Sequence, residues 1–280
     1  MRPTPATIAC LTDFGTQDAY VGIMKGVIAR SGVDAHFLDL THEIPPGDIR
    51  QASFRLWQAA PYLPDDTLYL AVVDPGVGTD RRGVALAWER ARAVGPDNGL
   101  FTLLQERLGP ARAVELPSPA ARALHSTFHG RDVFAPAAAA LAQGAALSEL
   151  GPEIDDLVRL PPVRLEILNP PGIRGEALFT DRFGNWVTSI GVLEFQPEHL
   201  VLSPWVRGVK GTKLPAANLA AILPDGRAVP LRRTFGEAAP GEALAYIGSD
   251  GLLELAINQG RAADLLPITP GAPILLVSRG

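Results

Sequence analysis

The feature that most constrains the fold is a regular alternation of apolar strand-like runs and helical runs in the first half of the chain. The strand-like runs are residues 6–11, 35–40, 68–73, 84–88, 93–94 and 113–116. Helical patterns cover residues 20–28, the stretch after Asp48, 102–107 and 133–141. Strands and helices that alternate in this way predict an α/β N-terminal domain with a largely parallel sheet.

The second half of the chain has a different pattern. Proline and glycine pairs interrupt residues 151–172, and short apolar runs separated by turns follow, which predicts a smaller all-β barrel. A length of 280 residues is sufficient for about two domains. We therefore expect an α/β domain over 1–155, a linker over 156–172 and a β-barrel domain over 173–280.

Charge and composition exclude several classes of partner. The net charge is −5, and the 25 basic residues form no block that could neutralise a phosphate backbone, so we expect no nucleic-acid partner. No apolar stretch approaches the roughly 18 residues of a membrane span, and the four apolar residues before Asp13 are too few for a signal peptide. The single cysteine, Cys10, lies in an apolar run, which fits a buried thiol in a cytoplasmic protein.

Glycine-bearing polar turns follow the predicted strands, where open α/β sheets bind their ligands. Asp13 and Asp18, after the first strand, suit a ribose hydroxyl or a metal, and they suit the cap of the next helix equally well. This turn lacks the glycine pattern of a dinucleotide site and the lysine of a phosphate-binding loop. Both interpretations of the two aspartates therefore stay open.

A second turn places Asp74 and Arg81 around a loop with two glycines, which allows their side chains to meet. Such a pair keeps the carboxylate ionised and orients the guanidinium, although an ordinary loop ion pair has the same sequence. His129 precedes a predicted helix for which Asp132 is a natural N-cap. His129 belongs to a catalytic site only if Asp74 and Arg81 converge on it.

Metal binding is not indicated. His42, His125 and His129 occur among many carboxylates, but no cysteine pair or helical metal-ligand motif accompanies them. His125 and His129 are four residues apart, and Gly130 with its turn-like surroundings argues against a helical ligand pair. We expect no metal.

The turn at residues 180–188 is the densest polar and aromatic segment of the second domain. Phe183 can stack on a base, Asn185 can pair with an adenine edge, and Asp181 can hold an ammonium group. A plain β-turn at 184–185 explains the same residues. Ser249, in the hairpin turn 248–251, has the same two interpretations.

Taken together and in this order, the segments resemble the S-adenosylmethionine hydroxide adenosyltransferases, also called S-adenosylmethionine hydrolases, which are relatives of fluorinase and chlorinase. The resemblance covers nearly the whole chain. Its segments are 11–15, 20–26, 39–46, the Asp74 loop, 96–100, the His129 turn and 181–185.

The resemblance implies a homotrimer that cleaves S-adenosylmethionine with water to adenosine and L-methionine, without a cofactor, at sites between neighbouring subunits. It implies that Asp74, Arg81 and His129 form a water-positioning triad. The implied substrate contacts are the ribose diol at Asp13, the methionine end at Asp18, the methionine amino group at Asp181, the methionine carboxylate at Ser249, and adenine at Asn185 and along Ile257 to Gln259. Phe14 and Phe183 complete the predicted substrate-binding set.

Departures from the halogenase pattern favour a hydrolase. The halogenases have tyrosine at the position of Asp74 and Tyr-Ser at His129-Gly130, where the serine helps to hold halide. An anionic Asp74 repels halide, and Gly130 has no hydroxyl. Val187 replaces a tryptophan beside adenine, and Ser189 stands where asparagine is usual. A chloride-using halogenase and a non-enzymatic S-adenosylmethionine or nucleoside binding module remain the alternatives.

Overall fold

A computed structural model describes residues 6–117, 127–169 and 172–279 of the chain. The chain divides into two compact units, Met1–Leu160 and Pro161–Gly280. The boundary at residue 160 falls inside the stretch 156–172 that we expected to link two domains. Within the described ranges, no helix combines the length and the apolarity that crossing a membrane requires.

The first unit contains a seven-stranded mixed sheet. Its strands are β1 Ala6–Thr12, β2 Ala35–Thr41, β3 Thr67–Val72, β4 Gly83–Ala87, β5 Ala91–Pro96, β6 Arg112–Leu116 and β7 Glu153–Ile154, in the order β2-β1-β3-β5-β4-β6-β7. Strands β2, β1, β3 and β5 are parallel, whereas β4, β6 and β7 are antiparallel to their neighbours. The expected largely parallel sheet thus holds for four strands. The three-residue connection between β4 and β5 is a hairpin, which forces antiparallel pairing there.

Helices cover both faces of this sheet. They are α1 Tyr20–Arg30, α2 Ile49–Ala59, α3 Thr102–Leu108 and α4 Ala135–Ala142. Strand β1 shows the two-sided burial, because Ile8 packs in one core with α1 and α4 while Leu11 packs in the other with α2 and α3. Asp48 caps α2, because its carboxylate accepts a hydrogen bond of 2.9 Å from the Gln51 amide.

The start of the helix after His129 differs from the prediction. Residues Gly130–Phe134 form one turn of π-helix that continues into α4, with His129 directly before it. Asp132 therefore lies inside the first turn, and its predicted role as N-cap is wrong. The consequence for the site is that His129 itself is fixed at the point where the helix begins.

The second unit is a mostly antiparallel, nearly closed sheet. Its strands are β8 Leu165–Leu168, β9 Gly172–Thr180, β10 Trp186–Thr188, β11 Leu193–Phe195, β12 His199–Leu202, β13 Thr212–Pro215, β14 Leu219–Ile222, β15 Ala228–Pro230, β16 Ala243–Ile247, β17 Leu253–Ile257 and β18 Pro273–Ser278, with the short helix α5 Ala262–Leu265. The main sheet has the order β15-β14-β18-β9-β10-β17-β16, and a bridge from Leu231 to Ala245 brings its two ends together. Strand β8 pairs with β9, and β11, β12 and β13 form a separate sheet. A large apolar core fills this unit, and a smaller cluster of Ala238, Leu244 and Ala256 lies apart from it.

Candidate active site

The structure brings Asp74, Arg81 and His129 into one hydrogen-bonded group. Nη2 of Arg81 donates to Oδ2 of Asp74, and the same nitrogen lies 2.9 Å from Nδ1 of His129. Nη1 of Arg81 donates to the carbonyl oxygen of Arg82 at 2.8 Å. Only 5 % of the Asp74 side chain and 10 % of the Arg81 side chain are exposed, so the ion pair is shielded from water.

The ends of two strands and the start of a helix position this group. Asp74 is the second residue after β3, and Arg81 is the second residue before β4. In the loop between them, the Thr79 hydroxyl donates to the carbonyl of Gly76 at 2.7 Å. A residue that the sequence analysis missed, Asn98, donates from Nδ2 to the carbonyl of Val73 at 2.9 Å. Asn98 therefore fixes the backbone directly before Asp74.

The hydrogen bonds define the protonation of His129. The guanidinium of Arg81 can only donate, so Nδ1 of His129 accepts and the ring proton is on Nε2. Burial and then the nearby Arg81 charge lower the pKa of His129, which favours this neutral ring. Burial raises the pKa of Asp74 above its usual value, although Arg81 opposes the shift. Desolvation therefore makes Asp74 a stronger base than an exposed aspartate.

Tight packing surrounds the group. The Arg81 guanidinium lies 5.5 Å from the centre of the Phe134 ring, and His129 meets the same ring edge-on at 6.4 Å. A Cβ atom at Gly130 would lie 2.7 Å from the Phe128 ring and 2.9 Å from Sδ of Met24. Neither distance is possible without a shift of the neighbours, so the position next to His129 has no room for a side chain.

An aromatic cluster connects the turn that contains Asp13 to this group. Phe14 packs against Tyr20 at 5.7 Å and against Phe128 at 5.8 Å between ring centres, and Phe128 directly precedes His129. The Asp13 carboxylate accepts a hydrogen bond of 2.8 Å from the Gly47 amide. The fold thus places Asp13 and Phe14 on the same side of the first unit as the triad.

Neither aspartate of that turn acts as a helix cap. Helix α1 starts after Ala19 without a side-chain cap hydrogen bond. Asp18 is exposed in the turn, and the Asp13 carboxylate is directed to a different loop. The capping interpretation, one of the two left open, is wrong for both residues.

In the second unit, Asp181 and Asn185 hold each other. Asp181 accepts from the Asn185 backbone amide at 2.8 Å and from its side-chain amide at 3.0 Å, and the Gly184 amide donates to the Asp181 carbonyl at 3.0 Å. The β-turn spans residues 181–184, so its corner lies at Arg182 and Phe183, two residues before the predicted corner at 184–185. Phe183, at its tip, is 74 % exposed, so its ring is available for stacking.

The remaining predicted contacts lie around β16 and β17. Ser249 is exposed in the turn that joins these two strands. Ile257 is buried at the end of β17, and Gln259 is exposed with a φ of 56°. Their roles toward a ligand stay predictions.

The described part of the chain holds no cluster of three or more His, Cys, Asp or Glu side chains arranged for a metal ion. His42, one of the histidines weighed as a ligand, makes a contact of 2.9 Å from Nδ1 to the Thr12 hydroxyl. His125 lies outside the described residues. Cys10 is a buried free thiol with a pKa raised to about 12, chiefly by burial, so it is no nucleophile at neutral pH.

The first unit combines an α/β fold with a buried Asp–Arg–His group, and the second unit is an all-β fold with a polar aromatic turn. Residues 8–151 match the SAM hydroxide adenosyltransferase N-terminal domain, and residues 175–275 match the C-terminal domain of the same family. The chain belongs to the SAM hydroxide adenosyltransferase family.

Known proteins support this assignment. The chain is 43 % identical to the (R)-S-adenosyl-L-methionine hydrolase of Thermus thermophilus, over 99 % of this chain and 100 % of that protein. A crystal structure of a conserved hypothetical protein, also from Thermus thermophilus, matches with a TM-score of 0.76 and 42 % identity, over 97 % of this chain and 100 % of that one. The fluorinase of Nocardia brasiliensis is more distant, at 28 % identity over 91 % of each chain.

Proposed function

We propose that this protein hydrolyses S-adenosyl-L-methionine to adenosine and L-methionine, by attack of water on the ribose C5′ carbon. The observation that carries the proposal is the buried Asp74–Arg81–His129 group in a chain of the hydroxide adenosyltransferase family. The Thermus thermophilus relative is named for the R epimer at sulfur, so we take (R)-S-adenosyl-L-methionine as the preferred substrate.

The reaction needs little besides orientation. A sulfonium is a good leaving group, so no acid has to protonate it, and no phosphate site is required. The enzyme must hold a water in line with the C5′–sulfur bond, and such positioning contributes up to about 7–11 kcal/mol. Activation of the water by a correctly placed base adds about 10²–10⁴-fold.

Asp74 is the proton acceptor in this proposal. Arg81 has no lone pair to offer, and Nδ1 of His129 already faces the Arg81 guanidinium. The proton on Nε2 makes His129 a donor, so Arg81 and His129 stabilise the developing hydroxide. Only the carboxylate of Asp74 has free acceptor capacity, and burial strengthens it as a base.

The substrate contacts follow the family resemblance. Asp13 binds the ribose diol, and Asp181 binds the methionine amino group. The remaining proposed contacts are Phe14, Asp18, Phe183, Asn185, Ser249, Ile257 and Gln259. The protein acts as a cytoplasmic homotrimer in which the α/β domain (1–155) of one subunit and the barrel domain (173–280) of its neighbour share each site, without a cofactor.

Packing at Gly130 favours hydrolysis over halogenation. A serine hydroxyl at this position helps the related halogenases to hold halide, and here Phe128 and Met24 leave no space for any Cβ atom. The buried carboxylate of Asp74 adds a negative charge that repels an anion. The distant identity to fluorinase agrees with this choice.

Product analysis tests the proposal. Purified full-length protein is incubated with each sulfur epimer separately, in chloride-containing and chloride-free buffer, and the products are separated by chromatography. We expect equimolar adenosine and methionine, faster from the R epimer and independent of chloride. Formation of a 5′-chloro nucleoside identifies a halogenase, and bound adenosine without turnover identifies a binding module.

Alanine variants connect the activity to the triad. Asp74→Ala and His129→Ala each abolish turnover if the group activates water. Asp80→Ala is the matched control, because Asp80 is an exposed aspartate of the same loop. Normal turnover in both triad variants contradicts the assignment.

A further inference from the structure

Hydrogen bonds join the last residue of β1 and the loop after it to the loop after β2. The contacts are Thr12 Oγ1 to His42 Nδ1 at 2.9 Å, the Gly15 amide to the His42 carbonyl at 2.8 Å, Thr16 Oγ1 to Glu43 Oε1 at 3.2 Å, and the Gly47 amide to Asp13 Oδ2 at 2.8 Å. His42 takes part in two of them and is 5 % exposed. Residues of the loop after β2 therefore hold the turn that contains Asp13.

The direction of these hydrogen bonds follows from the neighbours of His42. Nε2 of His42 lies 3.0 Å from Oδ1 of Asp39, and Asp39 pairs with Lys25 at 2.6 Å. A carboxylate at this distance favours the ring proton on Nε2, so Nδ1 accepts from the Thr12 hydroxyl. The Thr12 oxygen in turn accepts from the Phe14 amide at 3.2 Å. A continuous chain of polar contacts thus runs from Lys25 on α1 to the backbone beside Asp13.

These hydrogen bonds fix the backbone on both sides of Asp13. Thr12 fixes the Phe14 amide, and the His42 carbonyl fixes the Gly15 amide. Gly47 occupies Oδ2 of Asp13, while Oδ1 has no partner among the described residues. The free oxygen keeps a defined position only if the backbone on either side of it stays in place.

We infer that Thr12 and His42 are positioning residues that hold the Asp13 carboxylate for the ribose diol of the substrate. The inference rests on the proposed function, which assigns Asp13 to that diol. Neither residue bonds to Arg81 or His129, because the hydrogen bonds of the triad are separate from this chain. Loss of these hydrogen bonds therefore weakens substrate binding and leaves the chemical step intact.

The test compares Thr12→Val, which has the same shape but no hydroxyl, with Thr12→Ser, which keeps the hydroxyl. Calorimetry on the full-length protein measures the dissociation constants of adenosine and of 2′,3′-dideoxyadenosine, which lacks the diol. We expect Thr12→Val to weaken adenosine binding about threefold to tenfold, the range for one lost hydrogen bond. The binding of dideoxyadenosine should not change. Thr12→Ser should bind both nucleosides like the wild type.

Steady-state kinetics give a second readout. Thr12→Val should raise KM by a similar factor while kcat stays within about twofold, as expected for lost binding that is equal in ground and transition states. Lys25→Met, at the partly exposed end of the chain of contacts, is the variant to use if Thr12→Val does not fold. It should weaken adenosine binding about twofold and leave dideoxyadenosine binding unchanged.

The outcomes separate this inference from the proposed function. Equal weakening of both nucleosides by Thr12→Val, or no change in either, overturns the positioning role while the ribose role of Asp13 stands. A wild-type protein that binds adenosine no better than dideoxyadenosine removes the ribose role of Asp13 itself. That result overturns the proposed substrate contact, and the inference with it.

Discussion

Replacement of Arg81 by methionine tests the buried ion pair most severely. Arg81→Met keeps much of the apolar stem but removes the only cation that the described residues place on the Asp74 carboxylate, whose side chain is 5 % exposed. Breaking a buried pair from one side costs about 3–5 kcal/mol, because the remaining charge is left without compensation. For a unit of this size the melting temperature should fall by about 10 °C.

The loss of stability in Arg81→Met should depend on pH in a defined direction. Burial already raises the pKa of Asp74 above its unfolded value, and removal of Arg81 raises it further. The folded variant then binds a proton more tightly than the unfolded chain, so its stability increases as the pH falls toward that pKa. The difference in melting temperature between wild type and Arg81→Met should be larger at pH 8 than at pH 5.

A surface arginine provides the control for this experiment. Arg90 pairs with Asp65 at 3.1 Å, and both side chains are more than half exposed. Arg90→Met should change stability by about 0–1 kcal/mol, because water screens exposed pairs. Thermal unfolding of both variants, followed by circular dichroism, gives the comparison. Equal melting temperatures for Arg81→Met and Arg90→Met would show that the buried ion pair stabilises the protein no more than an exposed pair does.

Further variants test the packing, the strand end and the titration of the site. Gly130→Ser should destabilise the protein by about 1–3 kcal/mol and lower kcat, because a Cβ atom collides with Phe128; unchanged thermal unfolding and turnover contradict this. Asn98→Ala removes the hydrogen bond to the carbonyl before Asp74 and should lower kcat more than it changes KM, as single-turnover kinetics can measure. The pH profile of kcat should fall on the acid side, with a midpoint above the usual aspartate pKa, because Asp74 must be ionised and burial raises its pKa; a flat profile down to about pH 4 contradicts this.

The sequence predicted much of the framework because most of its strands are continuous apolar runs. The predicted runs at 6–11, 35–40 and 113–116 each agree with β1, β2 and β6 to within one residue. Strands β8, β11, β13 and β15 were missed, because a Glu, Lys or Pro residue interrupts the apolar run in each of these short segments. Strand direction was missed at β4 because a pattern of apolar residues does not encode it.

The candidate site was predictable to the extent that its residues lie at strand ends and helix starts. The convergence of Asp74 and Arg81 on His129 was left conditional in the sequence analysis, and the structure shows that convergence. The partners of Asp13 could not be predicted, because a backbone amide at Gly47 has no signature in the sequence. His42 was weighed as a metal ligand, and its side-chain contact with Thr12, a residue far from it in the sequence, was missed.

Isotopic labelling shows whether water attacks the ribose C5′ carbon, as proposed. The reaction is run with S-adenosyl-L-methionine in water enriched in oxygen-18, and both products are analysed by mass spectrometry. Attack at C5′ places the heavy oxygen at the 5′ position of adenosine and leaves methionine unlabelled. A labelled amino-acid product, with unlabelled nucleoside, would contradict attack at C5′.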